Sequence, residues 1–317
     1  MHCLTRLFHA CDPHGSELVW KKMLKMGTYH NANVLLMCGD LTGKAIVPIV
    51  KRKENEWYCR PRGTEQVIRS KEDLDKAMET FRNRGFYTFE TTPQEVEELK
   101  ASKELQEKLF VGLTTETMKR WLDMVREKTP SNVKVIVSPG NDDDFEIDEF
   151  IRKDERVIYP LERVVQLDDR HELISCPYVN PSPWQTYREC SEEELRKKLE
   201  KEFSRVSSCE NLVCNFHAPP KNTNVDLAPK LKNLKPVTEF GSPVMEHVGS
   251  QAVRDAIQVH QPLLGLHGHI HESCGFDNVG RTLCLNPGSE YEAGLLRGYV
   301  IDLPEKGHKL NFWRVEA

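Results

Sequence analysis

Seven residues that are good metal ligands lie in five short clusters spread over most of the 317-residue chain. In chain order they are Asp12 and His14, Asp40, Asn141, His217, and finally His269 with His271. Glycines next to several of these residues permit tight turns. Imidazole nitrogen combined with carboxylate and carboxamide oxygen suits divalent Mn, Fe, Co, Ni or Zn, and is too rich in nitrogen for a Ca or Mg site. The residue types therefore predict a transition-metal site.

The position of these clusters is more informative than any cluster alone, because a D-x-H pair is often structural and a lone Gly-Asp means little. Each cluster follows an apolar run that is typical of a strand. The runs are Leu4–Ala10, Val34–Cys38, Val133–Val137, Leu212–Asn215 and Leu263–Leu266. Sheets of α/β proteins place ligand sites at the carboxyl ends of their strands. We therefore expect the five clusters to meet at one site.

The elements that must position these residues alternate between short β-rich runs and amphipathic helical stretches, which predicts an α/β fold. Ser16 is suited to cap a helix that runs to about Met26. Another helix is expected from Glu192 to about Arg205. Short closing strands are predicted at Thr282–Leu285, Gly298–Leu303 and Lys309–Val315. The uninterrupted apolar run Val34–Cys38 indicates a strand buried on both faces.

A long stretch, residues 44–130, separates the second and third clusters. Ala45–Val50 and Trp57–Arg60 predict a hairpin, and helices are expected at Lys71–Arg84, Pro93–Lys108 and Thr115–Lys128. Between Lys44 and Arg69 there are seven Lys or Arg and three Glu. This basic excess either steers an anionic substrate or forms an ordinary solvated face.

Composition narrows the classes of function. A formal net charge of −5 disfavours a dedicated nucleic-acid binder. No apolar run reaches the roughly 18–20 residues of a membrane helix. The ten cysteines are scattered without a C-x-x-C pair, and the first residues do not resemble an export signal. Reduced thiols in a cytoplasm are therefore expected, and an oligomer is compatible with the sequence.

The five clusters resemble the signature of the calcineurin-like metallophosphoesterase superfamily, which is D-x-H, G-D, G-N-[H], H and G-H-x-H. The resemblance extends from Asp12 to His271. It implies one metal held by Asp12, His14 and His271, a second held by Asn141, His217 and His269, and Asp40 bridging the two. It also implies a single domain over residues 1–317, built as a sandwich of two mixed β-sheets flanked by helices, with residues 44–130 as an insertion and candidate cap. The segment 280–289 is similar to the N-P-G-S strand of small phosphodiesterase-like members.

The activity implied is hydrolysis of a small phosphate ester by a hydroxide bridging two metals, manganese being the first choice. Two cations about 3.5–4 Å apart activate such a water and stabilise an in-line displacement. The residues expected to take part in catalysis are Asp40, Asn141, Asp142 and His217.

One position departs from the family pattern, because Asp142 stands where most members have His. An ionised aspartate is a poor general acid, and a general acid typically contributes about 10²–10⁴ in rate. We therefore expect a phosphodiesterase. The alternatives are a phosphomonoesterase acting on a nucleotide or small metabolite, a scaffold of the same fold, and Asp142 as a loop residue facing solvent. Protein Ser/Thr phosphatases are disfavoured because no arginine accompanies Asp40 or Asn141.

Five further residues have two interpretations each. His9 and His267 either support metal ligands or pack in the core. Trp184, Tyr187 and Arg188, in a Pro-rich loop, either line the substrate site or anchor the loop at the surface.

Overall fold

The structure, a computed structural model, describes residues 4–305 and 308–317. Its strands are β1 (Arg6–Cys11), β2 (Val34–Cys38), β3 (Ala45–Lys53), β4 (Glu56–Cys59), β5 (Gln66–Ile68), β6 (Phe86–Thr91), β7 (Lys134–Ser138), β8 (Val165–Gln166), β9 (Glu172–Cys176), β10 (Leu212–Phe216), β11 (Leu227–Pro229), β12 (Leu231–Lys232), β13 (Lys235–Pro236), β14 (Thr238–Glu239), β15 (Ser242–Pro243), β16 (Met245–His247), β17 (Leu264–Leu266), β18 (Gly275–Val279), β19 (Thr282–Asn286), β20 (Arg297–Asp302) and β21 (Asn311–Glu316). Its α-helices are α1 (Glu17–Tyr29), α2 (Lys71–Asn83), α3 (Pro93–Ala101), α4 (Lys103–Lys128), α5 (Glu146–Lys153), α6 (Glu192–Phe203) and α7 (Gln251–His260).

Two mixed sheets form the centre of the molecule. The first has the order β21-β20-β1-β2-β7, in which β1, β2 and β7 are parallel and β20 and β21 are antiparallel to their neighbours. The second has the order β18-β19-β17-β10-β9-β8, in which β19, β17, β10 and β9 are parallel. Its edge strands β18 and β8 run antiparallel. The mixed sheets expected from the resemblance are confirmed.

The side chains of β2 show how the layers stack. All five residues of this strand are buried, as the sequence predicted. Leu35 and Met37 pack among the apolar residues of α1 and α4, whereas Leu36 packs with Val213 and Leu264 of the second sheet. Successive side chains of a strand point to opposite faces, so one face of the sheet meets helices and the other meets its partner sheet. Helices α6 and α7 cover the outer face of the second sheet. The sandwich flanked by helices is therefore confirmed.

Residues 44–130 form a smaller sheet with the order β5-β4-β3-β6 and an apolar cluster of their own. The predicted hairpin is β3 and β4, and β6, which was not predicted, pairs with β3 in parallel. Arg52 and Arg60 form ion pairs with Glu65, and both guanidinium groups lie over the ring of Tyr58. These contacts favour a solvated face over a surface that steers substrate.

One helix boundary was wrong. The sequence predicted a break between Lys108 and Thr115, but the chain breaks at Ser102 and then continues as α4 to Lys128. Ser102 is extended, with φ −131° and ψ 110°, and its side chain accepts a hydrogen bond from the Leu105 amide at 3.3 Å. A serine in this position favours the start of a new helix. Its hydroxyl oxygen accepts a hydrogen bond from an amide of the first turn that has no backbone partner within the helix.

The remaining predicted strands lie within about two residues of the observed ones. No helix among the described residues combines the length and the apolar character needed to cross a bilayer.

Candidate metal centre

The five predicted clusters lie in loops that follow β1, β2, β7, β10 and β17. The first three strands are parallel neighbours in one sheet, and the last two are parallel neighbours in the other. Three groups result, and within each group the ligand atoms lie within 4.8 Å of one another. The first is Asp12, His14 and His271, the second is Asp40, His217 and His269, and a third, His14, Asp40 and Asp142, shares residues with both. These groups of acidic and histidine side chains could each hold a metal ion.

Asp40 belongs to the second group and also approaches His14 of the first. Its Oδ2 is 3.7 Å from Nε2 of His14, and its Oδ1 is 3.3 Å from Nε2 of His217. Asn141 joins the second group, because its Oδ1 is 3.1 Å from the same nitrogen of His217. We refer to these seven residues, which are Asp12, His14, Asp40, Asn141, His217, His269 and His271, as the candidate metal centre.

Four members of the candidate metal centre have left-handed backbone conformations. Their φ angles are 51° for Asp12, 39° for His14, 46° for Asp40 and 66° for His269. A side chain in this region costs about 1–3 kcal/mol, and such residues concentrate at functional sites. The loops therefore hold these donors with backbone conformations that regular β-strands do not adopt.

Two glycines permit the close approach of the donors. A Cβ atom at Gly140 would lie 2.2 Å from Oδ1 of Asp40, and a Cβ atom at Gly39 would lie 2.2 Å from Nδ1 of His217. Real Cβ atoms do not come so close to other atoms, so any side chain at either position would displace a donor.

The buried polar atoms of the candidate metal centre fit a bound cation. Oδ1 of Asp12, Nδ1 of His14 and Nδ1 of His217 are buried without a hydrogen-bond partner. Nε2 of His14 lies 3.0 Å from Nε2 of His271, so two nitrogens face each other. Burial lowers the pKa of His14, and it lowers that of His271 to about 4. Divalent transition metals bind neutral imidazole nitrogens and carboxylate oxygens that have no hydrogen-bond partner in the protein.

The carboxylates respond differently to burial. Burial raises the pKa of Asp40, but His217, His14 and Lys44 together lower it by more, so Asp40 is ionised. Burial lowers the pKa of His217, and Asp40, Cys38 and Asp12 together raise it by more. Burial raises the pKa of Asp12 to about 7. The protein therefore keeps a negative charge at Asp40, between the two groups.

Asp143 is a functional residue that the sequence analysis missed. Its buried carboxylate accepts hydrogen bonds from the amides of Leu41 at 2.9 Å, Thr42 at 2.8 Å and Gly140 at 2.8 Å. It thereby ties the loop after β2 to the loop after β7. Its place directly after Asp142 was the only signal in the sequence, and the residue type alone does not distinguish this role.

Asp142 faces the candidate metal centre, so the alternative of a loop residue facing solvent was wrong. Its side chain is only 15% exposed, and Oδ2 lies 3.8 Å from Nδ1 of His14. Its amide donates to Oδ1 of Asp40 at 2.9 Å. The carboxylate also forms an ion pair with Lys44, which the sequence analysis counted only as part of a basic stretch.

The N-P-G-S segment fastens the last loop to the first. The side-chain amide of Asn286 donates to the carbonyls of Gly268 and Ile270, at 3.3 and 3.0 Å. The hydroxyl of Ser289 donates to the carbonyl of Asp12 at 2.7 Å. This segment therefore positions loops that carry ligands from both sheets.

Three other predicted residues are structural. His9 and His267 are buried, with Nε2 of His9 at 3.1 Å from the carbonyl of His267 and Nδ1 of His267 at 2.7 Å from the carbonyl of Phe216. The substrate contact suggested for Arg188 was wrong, because its side chain is 1% exposed and donates to the carbonyl of Gly140 and to Asp148. Trp184 and Tyr187 are exposed.

The insertion packs against the first two loops. A Cβ atom at Gly85 would lie 2.2 Å from the carbonyl oxygen of His14, and one at Gly43 would lie 2.4 Å from the carbonyl oxygen of Gly85. The Gly43 amide donates to the hydroxyl of Tyr87 at 2.9 Å. Backbone from the insertion therefore supports the loop that carries His14.

Comparison with known proteins shows that this chain is similar in fold to a solved structure. No family model matches the chain. The uncharacterized protein MJ1162 of Methanocaldococcus jannaschii is 29% identical over 157 residues, which cover 49% of this chain and 64% of that protein. A solved structure aligns with a TM-score of 0.58 at 17% identity, covering 98% of this chain and 99% of its own. TT1561 of Thermus thermophilus aligns with a TM-score of 0.48 at 14% identity, covering 98% and 99%. An archaeal phosphodiesterase aligns with a TM-score of 0.41 at 11% identity, covering 98% of this chain and 100% of its own.

The alignment at a TM-score of 0.58 extends over nearly the whole of both chains, so the two proteins share their fold. The chain therefore has an α/β fold in which two mixed β-sheets pack as a sandwich flanked by helices.

Proposed function

We propose that this protein is a calcineurin-like metallophosphoesterase that hydrolyses phosphodiester bonds with two divalent transition-metal ions. The position of Asp40 carries the proposal, because its two carboxylate oxygens point to histidines of two different groups. A carboxylate placed in this way can bridge two cations. The first cation would be held by Asp12, His14 and His271, and the second by Asn141, His217 and His269.

When bound, two such cations would neutralise phosphoryl charge and lower the pKa of a water molecule at the site. The chain's own contribution is to hold the donors in place. Asp143 joins two of the ligand loops, Asn286 and Ser289 join two others, and Asp40 is kept ionised beside His217. Such preorganisation avoids rearrangement of the donors during the reaction.

Asp142 supports a preference for diesters. Burial and the nearby Asp40 carboxylate raise the pKa of this carboxyl, and the Lys44 ammonium lowers it by less; the ion pair with Lys44 is the contact that a carboxylate forms. A carboxylate has no proton to give to a leaving group. Without a general acid, esters with poor alkoxide leaving groups react slowly, whereas diesters with acidic leaving groups are affected little.

The test compares bis(4-nitrophenyl) phosphate with 4-nitrophenyl phosphate, using protein loaded with Mn²⁺ and protein treated with a chelator. We expect metal-dependent turnover, faster with the diester, and a rate that falls steeply as the pKa of the leaving group rises in a series of aryl diesters. Faster turnover of the monoester would favour a phosphomonoesterase, and a flat dependence on leaving-group pKa would contradict the missing acid. Failure to bind metal or hydrolyse either ester would indicate a scaffold.

Manganese is the proposed metal, and a small phosphate ester is the proposed substrate. The cytoplasmic location predicted from the sequence also remains a proposal. The nine cysteines among the described residues are free thiols, which suits a reducing compartment.

A further inference from the structure

Lys44 is a cation at the edge of the candidate metal centre. It directly follows the loop after β2 and precedes the first strand of the insertion. Its ammonium forms an ion pair with Asp142, whose side chain is mostly buried, while the lysine side chain is 50% exposed. The group therefore lies where the buried site opens to solvent.

Lys44 lies next to the candidate metal centre itself. The Oδ2 atom of Asp142 with which its ammonium pairs lies 3.8 Å from Nδ1 of His14. Among the lysines and arginines whose side chains the structure describes, Lys44 alone forms an ion pair with Asp12, Asp40 or Asp142. Lys44 is thus the cationic side chain that the described part of the protein supplies here.

The backbone before Lys44 is fixed. The amide of Thr42 donates to Asp143, and the amide of Gly43 donates to the hydroxyl of Tyr87. The side chain is fixed at its other end by Asp142. A donor that is already held in position loses little entropy when it binds an anion.

An ammonium has three N–H donors, and the ion pair with Asp142 leaves others available. The proposed substrate is an anion that must enter at this opening. Resting on the function proposed above, we propose that Lys44 binds a non-bridging phosphoryl oxygen of the substrate, and that Asp142 is the positioning residue that holds its ammonium there. The ammonium thus supplies an N–H donor beside Asp142, which stands where the family resemblance leads one to expect histidine.

The test measures binding of inorganic phosphate to the Mn²⁺-loaded protein by isothermal titration calorimetry, so it needs no turnover. Lys44→Met should weaken phosphate binding by about tenfold or more, because it removes a hydrogen bond to a charged group. Lys44→Arg should retain most of the affinity. Lys51→Met removes an exposed lysine from the same strand region and should bind like the wild type. Manganese content should be equal in all four proteins.

A second comparison separates substrate binding from mere neutralisation of Asp142. If Lys44 only balances that carboxylate, Asp142→Asn and the double variant Lys44→Met/Asp142→Asn should bind phosphate equally. If Lys44 contacts phosphate, the double variant should still bind more weakly than Asp142→Asn, though by less than the loss in Lys44→Met alone, because Asp142→Asn no longer holds the ammonium in place. Equal affinities in this comparison, or wild-type affinity in Lys44→Met, would overturn the assignment, and so would a wild-type protein that binds manganese but no phosphate.

The two proposals fail in different ways. Phosphate binding that depends on Lys44, without metal-dependent hydrolysis of any ester, would contradict the proposed function and leave the assignment of Lys44 intact. Metal-dependent hydrolysis with an unchanged KM and unchanged phosphate affinity in Lys44→Met would contradict only the assignment of Lys44.

Discussion

Asp143 shows, at the scale of single residues, that groups other than ligands determine the geometry of the candidate metal centre. Its carboxylate accepts hydrogen bonds from three backbone amides and from the hydroxyl of Thr42. Replacing Asp143 by Asn puts an NH₂ group against at least one of these donors, and a buried donor without a partner costs about 1–3 kcal/mol. We expect Asp143→Asn to lower the free energy of unfolding by that amount and to weaken manganese binding by about 10–100-fold.

Urea denaturation would measure the first effect and competition with a metal chelator the second. Asp144→Asn, at the next position in the chain, is the matched control and should change neither quantity beyond experimental error. Wild-type metal affinity in Asp143→Asn would show that the two loops hold their positions without this carboxylate.

Gly140 gives a second prediction at this scale. The Cβ atom of an alanine would overlap Oδ1 of Asp40 and would also lie 2.8 Å from Nε2 of His217. We expect Gly140→Ala to retain no manganese after gel filtration, as measured by elemental analysis, because both donors must move.

The matched control is Gly112→Ala, since a Cβ atom at this exposed position of α4 meets nothing within 4 Å. This variant should keep its metal and gain about 0.5–1 kcal/mol in free energy of unfolding, because alanine favours a helix over glycine. Full metal content in Gly140→Ala would contradict the steric argument.

The sequence predicted which residues come together, and the structure brings all seven near one another. This was possible because each stands directly after an apolar strand, and the ends of parallel strands meet at one edge of a sheet. The roles of Lys44, Asp143 and Arg188 could not be predicted, because each depends on a partner about 40–100 positions away in the chain. Whether the seven bind metal remains a prediction.

At the scale of elements, apolar periodicity located the long central strands but missed β9 and β6. β9 begins with Glu172 next to a charged turn, so its apolar pattern is weak. Its place in the second sheet follows from pairing with β10, a partner far along the chain. The predicted boundary between α3 and α4 was misplaced for a local reason. The side chain of Ser102 caps α4 and so determines where that helix begins, and the apolar pattern does not show this.

The turn between β8 and β9 gives a prediction for pH dependence. Burial raises the pKa of Asp168, but hydrogen bonds from Thr5, from the amides of Arg170 and His171 and from the His171 ring lower it to about 2. A pKa below the unfolded value means that the stabilisation is present above about pH 4 and is lost as the pH falls towards 2. The side chain is 25% exposed, so we expect a contribution of at most about 2 kcal/mol.

The measurement is the free energy of unfolding of wild type and Asp168→Asn between pH 6 and pH 2. The difference between the two proteins should be about 2 kcal/mol at pH 6 and should approach zero at pH 2. A difference that stays constant with pH would show that the carboxylate charge does not stabilise this turn.

At the scale of the whole molecule, the candidate metal centre joins both sheets, so its occupancy should affect the stability of the entire fold. Four donors have left-handed backbone, and buried polar atoms at the site lack partners. We expect Mn²⁺ at a hundredfold excess over Kd to stabilise the protein by about 2.7 kcal/mol, which raises Tm by about 5 °C or more. Differential scanning fluorimetry with and without chelator would measure the shift.

Two controls make this result specific. Ca²⁺ should shift Tm much less, because the site is rich in nitrogen donors. Gly140→Ala should not respond to Mn²⁺. An unchanged Tm in the wild type would mean that the folded protein gains nothing from manganese.

The contact between Gly85 and the carbonyl of His14 determines which parts of this protein can change independently. An accessory segment joined only by linkers could be deleted or exchanged with that of a relative. Here the segment's own backbone lies against a donor loop, with too little room for even one added carbon atom. Exchanging residues 44–130 as a unit would therefore also alter the loop that carries His14, and mutations on the two sides of this junction should evolve together.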